Sequence, residues 1–107
     1  MSISLNNIKF VDTKNLSVEL EFIVACSRIA GNELIKIALI NQDMADKFKS
    51  AAARILKSMK RDGIIKLFVF ENELSLQEKT ESVYLLNKFP FLSDVKEASG
   101  SVIYVKL

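Results

Sequence analysis

One thiol, a close pair of carboxylates and a periodic row of cations are the groups whose type and spacing could do chemistry in this chain. Cys26 is the only cysteine, and the sequence has no histidine. A nucleophilic thiol needs a neighbouring base, so only a cation such as Arg28 remains to depress its pKa. At the end of an apolar stretch, Cys26 reads as a buried structural residue. Glu19 and Glu21 stand two residues apart in an alternating segment, which on a strand places both on one face about 7 Å apart. Such a pair can share a proton or a hard cation. Without histidine or further acids beside it, the pair reads instead as two solubilising groups on a wet face.

The cations are concentrated. Residues 43–62 carry six basic and three acidic side chains, against four and four in residues 1–42 and five and six in residues 63–107. Lys47, Arg54 and Arg61 recur every seven residues, with Lys57 beside them. At about 100° per residue they form a helical stripe opposite Phe48, Ile55 and Met59. A stripe of this kind can track a phosphate backbone. No exposed aromatic interleaves the charges for base stacking, so a solvated outer face is the plainer reading and nucleic-acid binding the alternative. The chain has no glycine-rich phosphate loop, nucleophile elbow, paired-cysteine or zinc-helix motif. No catalytic, cofactor or metal site is expected, and a non-enzymatic role is favoured over an enzyme.

These groups sit in a chain of 107 residues, half of them apolar and 26% charged, with three glycines and one proline. That is enough for one globular domain spanning 1–107 and too ordered in composition for a linker-rich or disordered chain. The longest apolar run, Phe22 to Cys26, is far too short to cross a membrane. The first residues lack the basic and apolar regions of a signal peptide. A single cysteine requires no oxidising compartment, so a cytoplasmic location is expected.

Periodicity predicts the elements. Ile3 to Val11 reads as a strand, and Leu16 to Ala25 as a second, with Leu16, Val18, Leu20, Phe22 and Val24 alternating against polar residues. Gly31-Asn32 then marks a turn into a third strand over Glu33 to Ile40. A helix capped by Asn41 or Asp43 runs to Asp62 and stops at Gly63. Ile64 to Phe70, apolar but for Lys66, reads as a strand covered on both faces and therefore central. Ser75 and Glu78 form a capping box for a second helix, which Pro90 terminates near Phe89. Val102 to Leu107 is the last strand, and Phe89 to Leu92 reads as a loop tucked against the end of the core.

The expected fold is α+β: a two-layer α/β sandwich with a mixed five-stranded sheet, order βββαβαβ, and both helices on one face. Val18, Phe22 and Val83 fall in its core. One sheet face would then lie uncovered. Phase places Ile64, Phe68, Phe70, Ile40 and Tyr104 on it, an apolar patch larger than a monomer usually exposes. The expected function is an interaction module that self-associates as a homodimer through that face. The competing expectation is that the N-terminal strand or the Phe89–Leu92 loop folds back over it.

Overall fold

The protein is described by a computed structural model covering residues 8–11, 16–39, 45–74, 79–94 and 102–107. In chain order the elements are β1 (Ile8–Val11), α1 (Leu16–Ile29), β2 (Leu34–Leu39), α2 (Ala45–Arg61), β3 (Leu67–Phe70), α3 (Thr80–Lys88) and β4 (Val102–Lys106). Short 3-10 turns span Glu71–Glu73 and Pro90–Asp94. Among the described residues the sheet has four strands in the order β1-β2-β4-β3. Its centre is antiparallel, with β4 inserted between β2 and β3, while β1 pairs parallel with β2 at one edge.

This architecture corrects the five-stranded sheet and the order βββαβαβ. The decisive difference is Leu16–Ile29, a helix of 14 residues rather than the second strand of a meander. Its core-facing side chains are Leu16, Leu20, Val24 and Ser27, spaced at four, four and three residues as a helix face requires. The turn residues Gly31-Asn32 end this helix instead of joining two strands. The Asn32 N–H donates to the Ser27 carbonyl at 3.0 Å and the Gly31 N–H to the Arg28 carbonyl at 3.1 Å, with Gly31 at φ 78°. That is the Schellman pattern, whose left-handed position favours glycine. The same pattern closes α2: Ile64 N–H to Met59 O at 2.9 Å and Gly63 N–H to Lys60 O at 3.1 Å, with Gly63 at φ 75°.

The two-layer arrangement is corrected as well, because helices cover both sheet faces. On one face α1 and α2 bury Leu20, Val24, Ala52 and Leu56 against Ile35, Ile37, Ile103, Val105 and Phe70. The parallel directions of β1, β2 and β3 with right-handed crossovers place both helices on this side. On the other face α3 and the turn after it bury Leu85, Phe89 and Leu92 against Leu34, Val69 and Tyr104. The strand expected at the centre, β3, is covered on both faces yet pairs only with β4 among the described residues. Within the described residues it is therefore an edge strand.

Of the expected core, Val18 and Phe22 are instead 66% and 68% exposed, and Val83 also lies at the surface. The caps expected at Asn41, Asp43, Ser75 and Glu78 lie outside the described residues, as do Ile3 to Asn7 of the first strand.

Candidate functional site

Helical geometry disperses the carboxylate pair. Glu19 and Glu21, two residues apart on α1, point about 200° from each other around the axis. Cys26 is exposed on the same helix rather than buried. Among the described residues no group of three potential metal ligands converges, and no helix is long and apolar enough to cross a membrane.

The self-association candidates separate. Phe70 and Tyr104 are buried, at 3% and 1% exposure, on opposite faces of the sheet. Phe68 is half-buried against the α1/α2 core, and Ile40 lies outside the described residues. Ile64 alone stays at the surface, in a shallow depression with Glu21, Ala25, Arg28 and Met59. The open sheet face that would have gathered these residues is the face that α3 and Phe89 cover.

The depression at Ile64 continues onto the outer side of α1. Val18, Phe22, Ala25 and Ile29 fall within about 60° of one another around the helix axis, opposite the buried face. Val18, Phe22 and Ile29 are 66%, 68% and 88% exposed, and Ala25 is exposed too. Glu21 and Arg28 border the stripe on one side; Glu19 and Cys26 border it on the other. Spaced 4-3-4, these four positions form the a/d seam of a short coiled coil.

The second feature is a groove of about 520 Å³ between α2 and the segment after β3. One wall is α2, with Lys49, Ala53, Lys57 and Lys60; the opposite wall holds Glu73, Lys79 and Glu81; the floor is Phe68, Val69 and Phe70. Lys79 forms an ion pair with Glu73, and Lys60 Nζ lies 3.3 Å from Glu81 Oε1. The Glu81 carboxyl is held below the usual range, first by its own backbone N–H and further by Lys60 and Lys79, against partial burial. The Lys49 ammonium sits 4.8 Å over the Phe70 ring. Among the described residues no carboxylate pairs with Lys49 or Lys57, so the groove keeps a positive balance on its α2 wall.

The basic stripe expected on α2 is thereby divided. Lys57 faces the groove, whereas Arg54 and Arg61 are exposed elsewhere on the helix. Arg61 is engaged locally, with Asp62 at 3.7 Å and the Ser58 hydroxyl at 3.3 Å. The side chain of Lys47 lies outside the described residues. Lys49, Lys60 and Lys79 were not singled out from sequence; Lys49 and Lys60 lie off the heptad row, and Lys79 reaches the groove only through the fold.

A buried polar cluster lies behind the groove. Tyr104 donates its hydroxyl to Glu71 Oε2 at 2.7 Å, and Lys36 Nζ lies 3.7 Å from the same oxygen. Burial, then the hydrogen bond and charge of Glu71, push the Tyr104 phenol well above its ordinary range. A phenol so held keeps its proton near neutrality, and its hydroxyl joins β4 to the turn after β3 as a fixed donor.

Comparison with protein-family models, curated proteins and solved structures finds no match for this chain. The reading of its surfaces rests on their geometry. What they offer is exposed apolar area on α1 and positive charge on the α2 wall of the groove.

Proposed function

We propose that this chain is a non-enzymatic interaction domain that pairs with a second copy of itself through the outer face of α1. The observation that supports the reading is the stripe of Val18, Phe22, Ala25 and Ile29, apolar at a/d spacing and exposed. Solvated helix faces are ordinarily polar, and a contiguous apolar one marks a contact surface.

The charges at its border favour a second copy in antiparallel orientation. About a two-fold axis, Val18 of one copy packs against Ile29 of the other and Phe22 against Ala25. Glu21 of each then faces Arg28 of its mate, so the surface is complementary to itself. The helix dipoles also oppose favourably. A seam on one helix of 14 residues with Ile64 beside it falls below about 1,200 Å² of buried area, so a dissociation constant in the micromolar range is expected.

Sedimentation equilibrium from about 10 to 500 µM tests this, since that range brackets such a constant. The wild type should approach twice 12.0 kDa at the upper end, and Phe22→Ser, at an exposed site, should stay folded and monomeric. Glu21→Arg alone should weaken pairing, and Glu21→Arg with Arg28→Glu should restore it. A wild-type mass of 12.0 kDa throughout would falsify the proposal.

A further inference from the structure

The hydrogen-bond phase of the sheet fixes which backbone groups line the groove. The Leu107 N–H donates to the Glu33 carbonyl at 2.9 Å, so odd-numbered residues of β4 turn their backbone toward β2 and even-numbered ones toward β3. The register sets Val69 opposite Tyr104 and Leu67 opposite Lys106. Leu67 and Val69 therefore spend their N–H and C=O groups on β4, and Phe68 and Phe70 turn theirs away from the sheet. That direction is the groove. Consecutive residues of a strand point their side chains to opposite faces, yet Phe68, Val69 and Phe70 all line this one depression, as they must when it runs along the strand's free edge.

Exposed edges are usually blunted or covered. Here α2 on one side and Glu73, Lys79 and Glu81 on the other leave a channel. The Phe70 carbonyl is taken by the turn Glu71–Glu73 that Phe70 caps, so among the described residues the floor offers three main-chain groups, the N–H and C=O of Phe68 and the N–H of Phe70. The walls set the chemistry of what fits. Glu73 and Glu81 are already satisfied by Lys79 and Lys60. On α2, Lys49, Ala53 and Lys57 stand at i, i+4 and i+8, with the two lysines about 12 Å apart at 1.5 Å per residue. Four residues of extended chain span about 13 Å and return to the same face.

We propose that the open edge of β3 binds an extended acidic peptide as an added strand, with two acidic side chains four residues apart against Lys49 and Lys57 and an apolar side chain between them over Ala53. Main-chain bonds to Phe68 and Phe70 supply the affinity, and the wall supplies the spacing. The site is independent of the α1 surface, from which α2 separates it.

The test uses the full chain and a fluorescein-labelled peptide, Ser-Glu-Thr-Val-Thr-Glu-Ser, read by fluorescence anisotropy. Saturable binding with a dissociation constant of about 10–100 µM is expected for a short strand of this kind. Binding should weaken at least about tenfold for Lys57→Glu, for a peptide with its glutamates three residues apart, and for one N-methylated at alternate residues, which keeps every charge and removes the strand's donors. Phe22→Ser should bind as the wild type does. In an amide spectrum, Phe68 and Phe70 should be among the largest shifts. Failure of the peptide to saturate by 1 mM overturns the proposal, as does equal binding of the N-methylated peptide. A twelve-nucleotide oligothymidylate that binds more tightly and displaces the peptide overturns it in favour of a phosphate backbone as occupant.

Discussion

Tyr104→Phe removes one oxygen from the middle of the molecule, and the structure says what that oxygen does. The Tyr104 hydroxyl is 2.7 Å from Glu71 Oε2, and both residues are buried, at 1% and 4% exposure. Hydrogen bonds to charged partners contribute about 1.5–3 kcal/mol. Lys36, 3.7 Å from the same carboxylate but 24% exposed, contributes less than the hydroxyl does, because ion pairs near solvent are worth about 1 kcal/mol or less. Tyr104→Phe should therefore cost about 2 kcal/mol, a fall in melting temperature of about 10 °C for a domain of this size. The pH dependence is more specific. The phenol pKa is raised in the folded state, by burial first and by Glu71 second, so the native protein keeps a proton that the unfolded chain releases near pH 10. Its contribution is complete below that point. Above it, stability falls with rising pH by about 1.4 kcal/mol per unit until the folded phenol itself ionises. Urea unfolding followed by circular dichroism between pH 7 and 11 measures both effects. In a Tyr84→Phe background Tyr104 is the one remaining tyrosine, and its tyrosinate absorbance should appear together with unfolding. A Tyr104→Phe protein with wild-type stability at pH 7 and an unchanged alkaline slope would refute the reasoning.

Leu56 and Leu85 are both fully buried, on opposite faces of the sheet, so Leu56→Ala and Leu85→Ala should each cost about 3 kcal/mol in urea unfolding. Val83→Ala, on the exposed side of α3, should cost well under 1 kcal/mol; a Leu85 effect as small as this would mean that α3 does not cover the sheet. Lys106 is buried, and its pKa is lowered by that burial first and then by Lys88 and Lys66. The unfolded chain thus binds the proton more readily, and stability rises with pH from the lowered value up to about 10.5. Lys106→Met should raise the melting temperature at pH 7 and flatten that rise; an unchanged profile in calorimetry would exclude Lys106 as its source.

The ambiguity of Leu16–Ile29 is physical. An apolar residue at every second position contains an apolar residue at every fourth, so Leu16, Leu20 and Val24 satisfy a helix face and a strand face alike. Two signals separate the alternatives. Ile23 and Ala25 break the alternation within the run Phe22 to Cys26, and no glycine, proline, asparagine or aspartate interrupts the chain between Asn15 and Gly31. A strand of that length would be unusual in so small a domain, and a helix of 14 residues is ordinary. Once the segment is helical, Val18 and Phe22 have no core to enter, and the apolar surface moves from the sheet to α1. Elsewhere local chemistry was sufficient. Gly63 ends α2 and Pro90 follows the end of α3, each where backbone stereochemistry demands. The groove was not legible, because it depends on β4 pairing between β2 and β3. That is a long-range choice with no counterpart in any local pattern, and it turns a strand of central composition into an edge.

That exchange also explains why the edge at β3 is usable. A strand as apolar as Leu67–Phe70 at a bare edge would template uncontrolled pairing between copies. Here α2 and α3 shield its side chains, and Lys49 and Lys57 line the groove along its outer edge, so a second β3 would bring them against another copy's lysines. Like charges at that approach disfavour self-pairing and leave the edge to an oppositely charged strand. The pairing proposed for the α1 stripe has the opposite logic, since in it Glu21 and Arg28 would favour a second copy as partner. With α2 between them, a dimer formed through α1 would keep both β3 edges open and present two acidic-peptide sites at a fixed separation. A partner carrying two such segments would then bind the second intramolecularly, with an effective concentration set by its linker and well above the affinity of either segment alone. Phe22→Ser should abolish that gain while leaving single-peptide binding intact. That separation of effects is the one that two independent surfaces require.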